Sequence, residues 1–186
     1  MRSRRVLLAV LVVASLLSSG CLVVSLQPFY DGGSIEFDET LVGTWENPDE
    51  KNVIRVDRGE WKSYKVTYPA RSGPVVFTGY LTRVGDGRVL DLTLGRSTDP
   101  ATLLIPAHLA VRLQLLGDAL TMTGLDYDWF LRETEQGRLP QLAPVLDARK
   151  DVVLTAETAA LRSWIAAQTR SGNMFADEVR LVRKPY

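Results

Sequence analysis

The chain has 186 residues, with 22 lysines and arginines balancing 22 aspartates and glutamates, one histidine and one cysteine. This length accommodates one domain with a substantial core, and the balanced charge leaves no basic stripe for binding nucleic acid. A single cysteine excludes a disulfide within the chain and a metal site built from several thiolates.

The first twenty residues have the composition of an export signal. Three of the first five residues are arginine, residues 6–17 are apolar apart from Ser15, and residues 18–20 are small. This order is typical of a secretory signal peptide, and the apolar stretch is shorter than the ~20 residues that a spanning helix needs. We therefore expect residues 1–20 to be removed, which leaves a net charge of about −3.

Ser19-Gly20-Cys21 resembles the lipobox of bacterial lipoproteins. The resemblance implies that the Cys21 thiol carries a diacylglycerol and that the chain is cut before it. It also implies that the new amino group is acylated, for example with palmitate. Two or three acyl chains hold a protein on a membrane much more firmly than one. The alternative is an ordinary secreted protein with an incidental cysteine.

The residue that follows the cysteine, residue 22, indicates in which membrane a lipoprotein is anchored. It is leucine, not the aspartate associated with retention of some lipoproteins in the inner membrane. The resemblance therefore favours the periplasmic face of the outer membrane if the organism is Gram-negative.

After the cysteine, the sequence divides into a tether and one domain. Residues 21–34 contain Pro28 and Asp31-Gly32-Gly33, which interrupt regular structure, so we expect a short lipidated tether. Residues 35–186 contain neither an internal repeat nor a second linker. We expect them to form a single β-rich globular domain.

The domain consists mainly of short strand-like segments separated by glycine-containing turns. Strands are predicted at residues 52–58, 61–68, 74–84, 88–94, 109–115, 119–123 and 178–183. Gly59-Glu60, Gly85-Asp86-Gly87 and Gly117-Asp118 are predicted hairpin turns. Gly85-Asp86-Gly87 lacks the third glycine of a dinucleotide-binding loop, so we interpret it as a turn and not as a cofactor site. The spacing predicts a mainly β, β-rich α+β fold, either an antiparallel meander or a small barrel.

Two accessory helices are predicted within the domain. The helix at residues 126–135 begins with Asp126 and Asp128, which suit a helix N-terminus more simply than a carboxylate pair for acid–base chemistry. The helix at residues 156–169 has Thr155 as a candidate N-cap. Its apolar stripe consists of Leu161, Trp164 and Ile165. We expect this stripe to lie against the sheet or across a barrel mouth.

Gly43-Thr44-Trp45 opens an early strand and resembles the Gly-x-Trp motif of lipocalins and related small barrels. The resemblance implies a lipocalin-like barrel in which Gly43 and Trp45 are structural and the tryptophan fills the closed end. The mature chain also resembles a group of bacterial lipoproteins without a known activity, at residues 26–30, at residues 41–45 and at the helix containing Trp164. A buried tryptophan without a ligand-binding role is the simpler alternative.

His108 is the best single candidate for chemistry because it is the only histidine. Strand alternation places it with Arg112 and Gln114, on the face opposite Leu109 and Leu113. If that face lines a barrel interior, the three polar residues form a binding site for a carboxylate or another anionic head group. If it points outward, they form an ordinary solvated face.

The sequence contains no recognised catalytic motif. Motifs for a serine nucleophile, a phosphate loop and a zinc-binding helix do not occur. We therefore assign no catalytic residue, no metal and no cofactor.

These observations lead to one expected function and one alternative. We expect a membrane-anchored envelope lipoprotein that acts as a non-enzymatic binding or scaffold module. Its partner would be a small amphipathic ligand or another envelope protein, and not nucleic acid. The alternative is an envelope hydrolase with an unrecognised active site, against which the single histidine and the missing nucleophile motif argue.

Overall fold

The computed structural model describes residues 22–70, 73–95, 106–168 and 174–185. Within these ranges lie twelve strands and two α-helices. The strands are β1 Val23–Ser25, β2 Ile35–Glu36, β3 Gly43–Glu46, β4 Val53–Arg58, β5 Ser63–Ala70, β6 Gly73–Val84, β7 Gly87–Leu94, β8 His108–Leu116, β9 Ala119–Leu125, β10 Pro144–Leu146, β11 Val152–Leu154 and β12 Phe175–Arg183. The helices are α1 Tyr127–Glu135 and α2 Thr158–Gln168.

Eight of the strands form a closed antiparallel barrel. Strands β3 to β9 pair consecutively as a meander. Strand β12 then inserts between β9 and β3 and closes the ring. The predicted mainly β fold, with a small antiparallel barrel and two helices, is therefore confirmed. Closure leaves the barrel strands without a free edge, which removes a common route to aggregation.

The glycine turns form two of the hairpins as predicted. Gly85 and Gly117 both have φ 58°, a left-handed conformation that glycine adopts at little cost. The turn after β4 is longer than predicted, because Trp61 has φ 54° and lies in the turn. Strand β5 consequently begins at Ser63, whose carbonyl accepts a hydrogen bond from the Gly59 N–H at 2.9 Å.

The inward faces of the barrel strands form the first apolar core. Alternation places Leu90 and Leu92 of β7 inside, together with Leu113 of β8. The other buried members are Leu41, Trp45, Ile54, Val56, Tyr64, Val66, Leu81, Leu120 and Leu181. Every strand of the ring thus contributes apolar side chains to the barrel interior, as expected for a small barrel.

A 3-10 helix, Glu39–Leu41, precedes β3, and its Leu41 belongs to the barrel core together with Trp45. Trp45 is fully buried, and its Nε1 donates to the Leu41 carbonyl at 2.9 Å. The Arg183 guanidinium lies 4.2 Å from the Trp45 ring centroid and donates to the Val42 carbonyl at 2.9 Å. Gly43 has φ 150°, a backbone conformation that residues with a side chain rarely adopt, and a Cβ there would also displace that guanidinium, so glycine suits this position.

A carboxylate caps the same 3-10 helix. Asp38 is the N-cap of the 3-10 helix, accepts from Thr40 N at 2.9 Å and accepts from Arg88 Nη2 at 2.6 Å. Burial by itself raises the pKa of Asp38, but the hydrogen bonds from Thr40 and Arg88 outweigh it and lower the pKa below its usual value. The ionised carboxylate is therefore the form that stabilises the 3-10 helix.

We expect the stabilising effect of Asp38 to depend on pH. A carboxyl group whose pKa is lowered by folding stabilises fully above its unfolded pKa of about 3.9, and the effect is lost as the pH falls through the folded pKa. Urea unfolding should show Asp38→Asn less stable than wild type at neutral pH, with the difference shrinking in acid. Asp86→Asn, in an exposed hairpin turn, is the control. A difference that does not change with pH would contradict this assignment.

A second apolar core covers the outer face of strands β6 to β8. Val84, Val89 and Ala110 point away from the barrel interior and belong to this second cluster. The helices supply Phe130 from α1 and Trp164 from α2, with ring centroids 5.8 Å apart. The predicted stripe of α2 is therefore buried against the outer face of the sheet and does not cover the barrel mouth.

Helix α2 begins later than predicted. Its first residue is Thr158, whose hydroxyl donates to the Pro28 carbonyl at 2.8 Å. Thr155 was the expected cap, but its hydroxyl donates to the Ala143 carbonyl at 2.7 Å. The prediction of Thr155 as the N-cap is wrong, because its hydroxyl is bonded to a residue outside the helix. Asp126, in contrast, caps α1 by accepting from Trp129 N at 2.9 Å.

The N-terminal segment is packed on the barrel from its first described residue. Strand β1 pairs in parallel with β11, and Ser25 of β1 pairs with His108 of β8. Strand β10 adds to β11, so the barrel carries a small three-stranded extension. Residues 22–34, expected to form a tether, are thus a hydrogen-bonded part of the fold.

Candidate functional site

The barrel interior is filled by apolar side chains. The cavity among them has a volume of about 10 Å³, roughly the space that one water molecule needs. Its lining residues include Trp45, Tyr64, Leu113 and Met122. A pocket for a drug-sized ligand is typically 300–1,000 Å³, so this cavity does not have room for an amphipathic ligand.

The three predicted site residues have different environments on the outer face of β8. His108 is 7% exposed beneath the N-terminal segment. The Arg112 guanidinium lies 4.5 Å from the Phe175 ring centroid, and Gln114 is exposed. The face of β8 that carries these three residues therefore points away from the barrel interior. Of the three side chains, only Gln114 is exposed to solvent.

A buried carboxylate of β7 joins His108 to the N-terminal segment. Asp91 is fully buried, and its Oδ1 lies 2.7 Å from His108 Nδ1. Its other oxygen, Oδ2, accepts from the Phe29 N–H at 2.7 Å. The carboxylate thus connects two barrel strands with a backbone group 62 residues away in the sequence.

Two tyrosines border this pair. The Tyr30 ring centroid lies 4.8 Å from that of Tyr80 and 6.4 Å from that of His108. Burial raises the pKa of Tyr30, and the nearby charge of Asp91 and the neighbouring Tyr80 raise it further. The Tyr30 hydroxyl therefore stays protonated at neutral pH, which is the form of a hydrogen-bond donor and not of a general base.

The Asp91–His108 pair resembles the carboxylate and imidazole of a hydrolytic site, but it lacks a nucleophile within the described residues. A carboxylate that orients an imidazole through Nδ1 is part of the serine hydrolase triad, but a nucleophile must also lie within hydrogen-bond reach of the imidazole. Over the described ranges, no serine, threonine or cysteine side chain makes such a hydrogen bond with His108. With Phe29 on the second oxygen, the pair is better suited to holding the segment in place.

Arg162 of α2 holds the same segment from the other side. Its Nη1 donates to the Phe29 carbonyl at 2.8 Å and to the Thr82 hydroxyl at 3.0 Å. Its Nη2 donates to the Arg83 carbonyl at 3.0 Å, and its Nε lies 3.4 Å from the Asp31 carboxylate. Both backbone groups of Phe29 are therefore bound by charged side chains from different elements.

The described chain begins one residue after the expected lipid attachment site. Cys21 itself lies outside the described residues. Leu22 N donates to Asp151 Oδ1 at 2.8 Å, and Val152 N donates to the Leu22 carbonyl at 2.9 Å. Because consecutive Cα atoms are 3.8 Å apart, Cys21 is joined directly to a packed strand.

Two further features are absent from the part of the chain that the structure describes. No three histidine, cysteine, aspartate or glutamate side chains there are grouped so as to hold a metal ion. No helix there combines the length and the apolar character needed to cross a membrane.

The charged residues that organise this region were not predicted from the sequence; they are Asp91, Arg162 and Asp151. Asp91 had a readable signal, because it is the only carboxylate of its strand and lies between Leu90 and Leu92. Such a residue needs a partner when buried. Arg162 had no comparable signal, since its Phe29 contact spans 133 residues.

No protein-family model, curated protein or solved structure matches this chain. Its own residues define a closed eight-stranded antiparallel barrel with a filled interior and a second apolar core on the outside. Among the described residues, Asp91 and His108 are two buried polar side chains that are paired with each other.

Proposed function

We propose that this protein is a lipid-anchored lipoprotein of the bacterial cell envelope. Cys21 carries the acyl chains, and the domain faces the periplasm from the outer membrane in an organism that has one. The proposal draws on the export signal and on Ser19-Gly20-Cys21. It is supported by Leu22, the residue that follows Cys21, whose backbone is hydrogen-bonded to Asp151 and Val152, so that an anchor on Cys21 would be attached directly to the domain.

We further propose that the domain is a non-enzymatic scaffold or binding module whose partner is another envelope protein. The observation that carries this proposal is the apolar, filled barrel interior. A ligand inside the barrel lacks space, and the Asp91–His108 pair is occupied by the packing of the N-terminal segment. The remaining means of recognition is the outer surface.

Replacing the lipid acceptor tests the anchor. Cys21→Ser should leave the protein unprocessed or release it from the membrane fraction, because the thiol that accepts the diacylglycerol is gone. Cell fractionation followed by detection of the protein measures both results.

Ser19→Ala is the matched control, since it keeps a small residue near the cleavage position and leaves the thiol in place. It should remain processed and membrane-bound. If Cys21→Ser is processed and fractionates with membranes as wild type does, the lipid anchor is disproved.

A further inference from the structure

The three-stranded extension carries an aliphatic outer face. Val145, Val153 and Val24 are directly paired across β10, β11 and β1. Leu22 and Leu26 lie two residues to either side of Val24, so they continue the same face. We call these five residues the aliphatic face. On β1 and β11, the apolar residues of opposite parity, Val23, Val152 and Leu154, are buried in the second core.

The aliphatic face is open in the described part of the chain. Leu22 and Val145 are each 50% exposed and Leu26 is 38% exposed, while Val24 and Val153 are partly exposed. None of the five residues is polar or charged. Single exposed aliphatic residues are common on protein surfaces, but a contiguous group of them indicates an interaction surface.

The position of the lipid acceptor indicates what this surface contacts. The face begins at Leu22, the residue that follows Cys21. No free linker separates Cys21 from the sheet, because Asp151 and Val152 hydrogen-bond to the backbone of Leu22. Acyl chains on Cys21 therefore bring the aliphatic face to the bilayer surface. A protein partner would have to enter between this face and the membrane.

We propose that the aliphatic face lies against the lipid bilayer and fixes the orientation of the barrel on the membrane. This inference rests on the proposed acylation of Cys21. The acyl chains supply the attachment, and the five aliphatic side chains enter the boundary between head groups and acyl chains. Apolar side chains of interfacial proteins occupy the same depth.

A depth measurement on the full-length, acylated protein tests the proposal. With Cys21 acylated, Val145→Cys introduces the only free thiol, at an exposed position of an edge strand where the substitution is tolerated. The matched control is Val182→Cys, because Val182 is 41% exposed. It lies on β12, which is separated from the three-stranded extension by β8 and β9. Each thiol is labelled with an environment-sensitive fluorophore, and the protein is placed in phosphatidylethanolamine–phosphatidylglycerol vesicles with or without nitroxide-labelled lipid.

The label at position 145 should show blue-shifted emission and several-fold stronger quenching by the nitroxide lipid than the label at position 182. Mass spectrometry of the same samples determines whether Cys21 is acylated. A missing acyl group disproves the proposed function and this inference together. With acylation present, equal quenching at the two positions overturns the inference alone. Blue-shifted emission without lipid quenching also overturns it, because a second copy or another protein then covers the face.

Discussion

Trp45→Ala is expected to lower the free energy of unfolding by about 3–5 kcal/mol, the usual cost of truncating a buried aromatic side chain. Trp45 is fully buried in the barrel core, where it contacts Arg183 and donates to the Leu41 carbonyl. Its loss leaves a cavity and removes the support of the 3-10 helix. At 2–4 °C per kcal/mol for a chain of this size, the melting temperature should fall by about 6–20 °C.

Trp61→Ala provides the matched control because it removes the same side chain from a site that is 68% exposed. Substitutions at exposed positions usually change stability by less than about 0.5 kcal/mol. Thermal unfolding of both variants should therefore separate them clearly. Equal melting temperatures for the two variants would show that Trp45 is not a core residue of the barrel.

Asp91→Ala is expected to destabilise the protein by about 2–6 kcal/mol, because it leaves two buried donors without an acceptor at about 1–3 kcal/mol each. The donors are the Phe29 N–H and the His108 ring nitrogen. The loss should be concentrated in residues 22–34, where amide hydrogen exchange should accelerate more than in the barrel strands.

Asp57→Ala is the control for removing a carboxylate from a barrel strand. Asp57 lies in an exposed pair with Arg55 at 2.9 Å, and exposed ion pairs contribute about 0–1 kcal/mol. Urea unfolding and hydrogen exchange should show little change. If Asp91→Ala behaves in the same way, the carboxylate does not hold the N-terminal segment.

The barrel was predictable from local patterns in the sequence. Alternation and glycine turns are sufficient to locate the strands from β4 to β9, because each of these strands pairs with its neighbour in the chain. The short strands β1 and β11 were not predictable, since their pairing joins Val23 to Val152. The position of β12 between β9 and β3 was not predictable either, because it depends on closure of the whole ring.

The candidate site was predictable only in part. Alternation correctly places His108 on the face opposite Leu109, because side-chain direction is a local property of a strand. Its burial was not predictable, because the covering segment is placed by long-range contacts of Asp91 and Arg162. The packing of residues 22–34 on the barrel depends on the same kind of contact. Pro28 interrupts local structure, yet its carbonyl has a partner on α2.

The central claim is that Cys21 carries a lipid anchor directly before a packed domain. The most direct test is mass spectrometry of the N-terminal peptide from protein in the membrane fraction. We predict a peptide that begins at Cys21 and carries the added mass of a diacylglycerol and an amide-linked acyl chain. A peptide that begins at another residue, or an unmodified Cys21, would contradict the account.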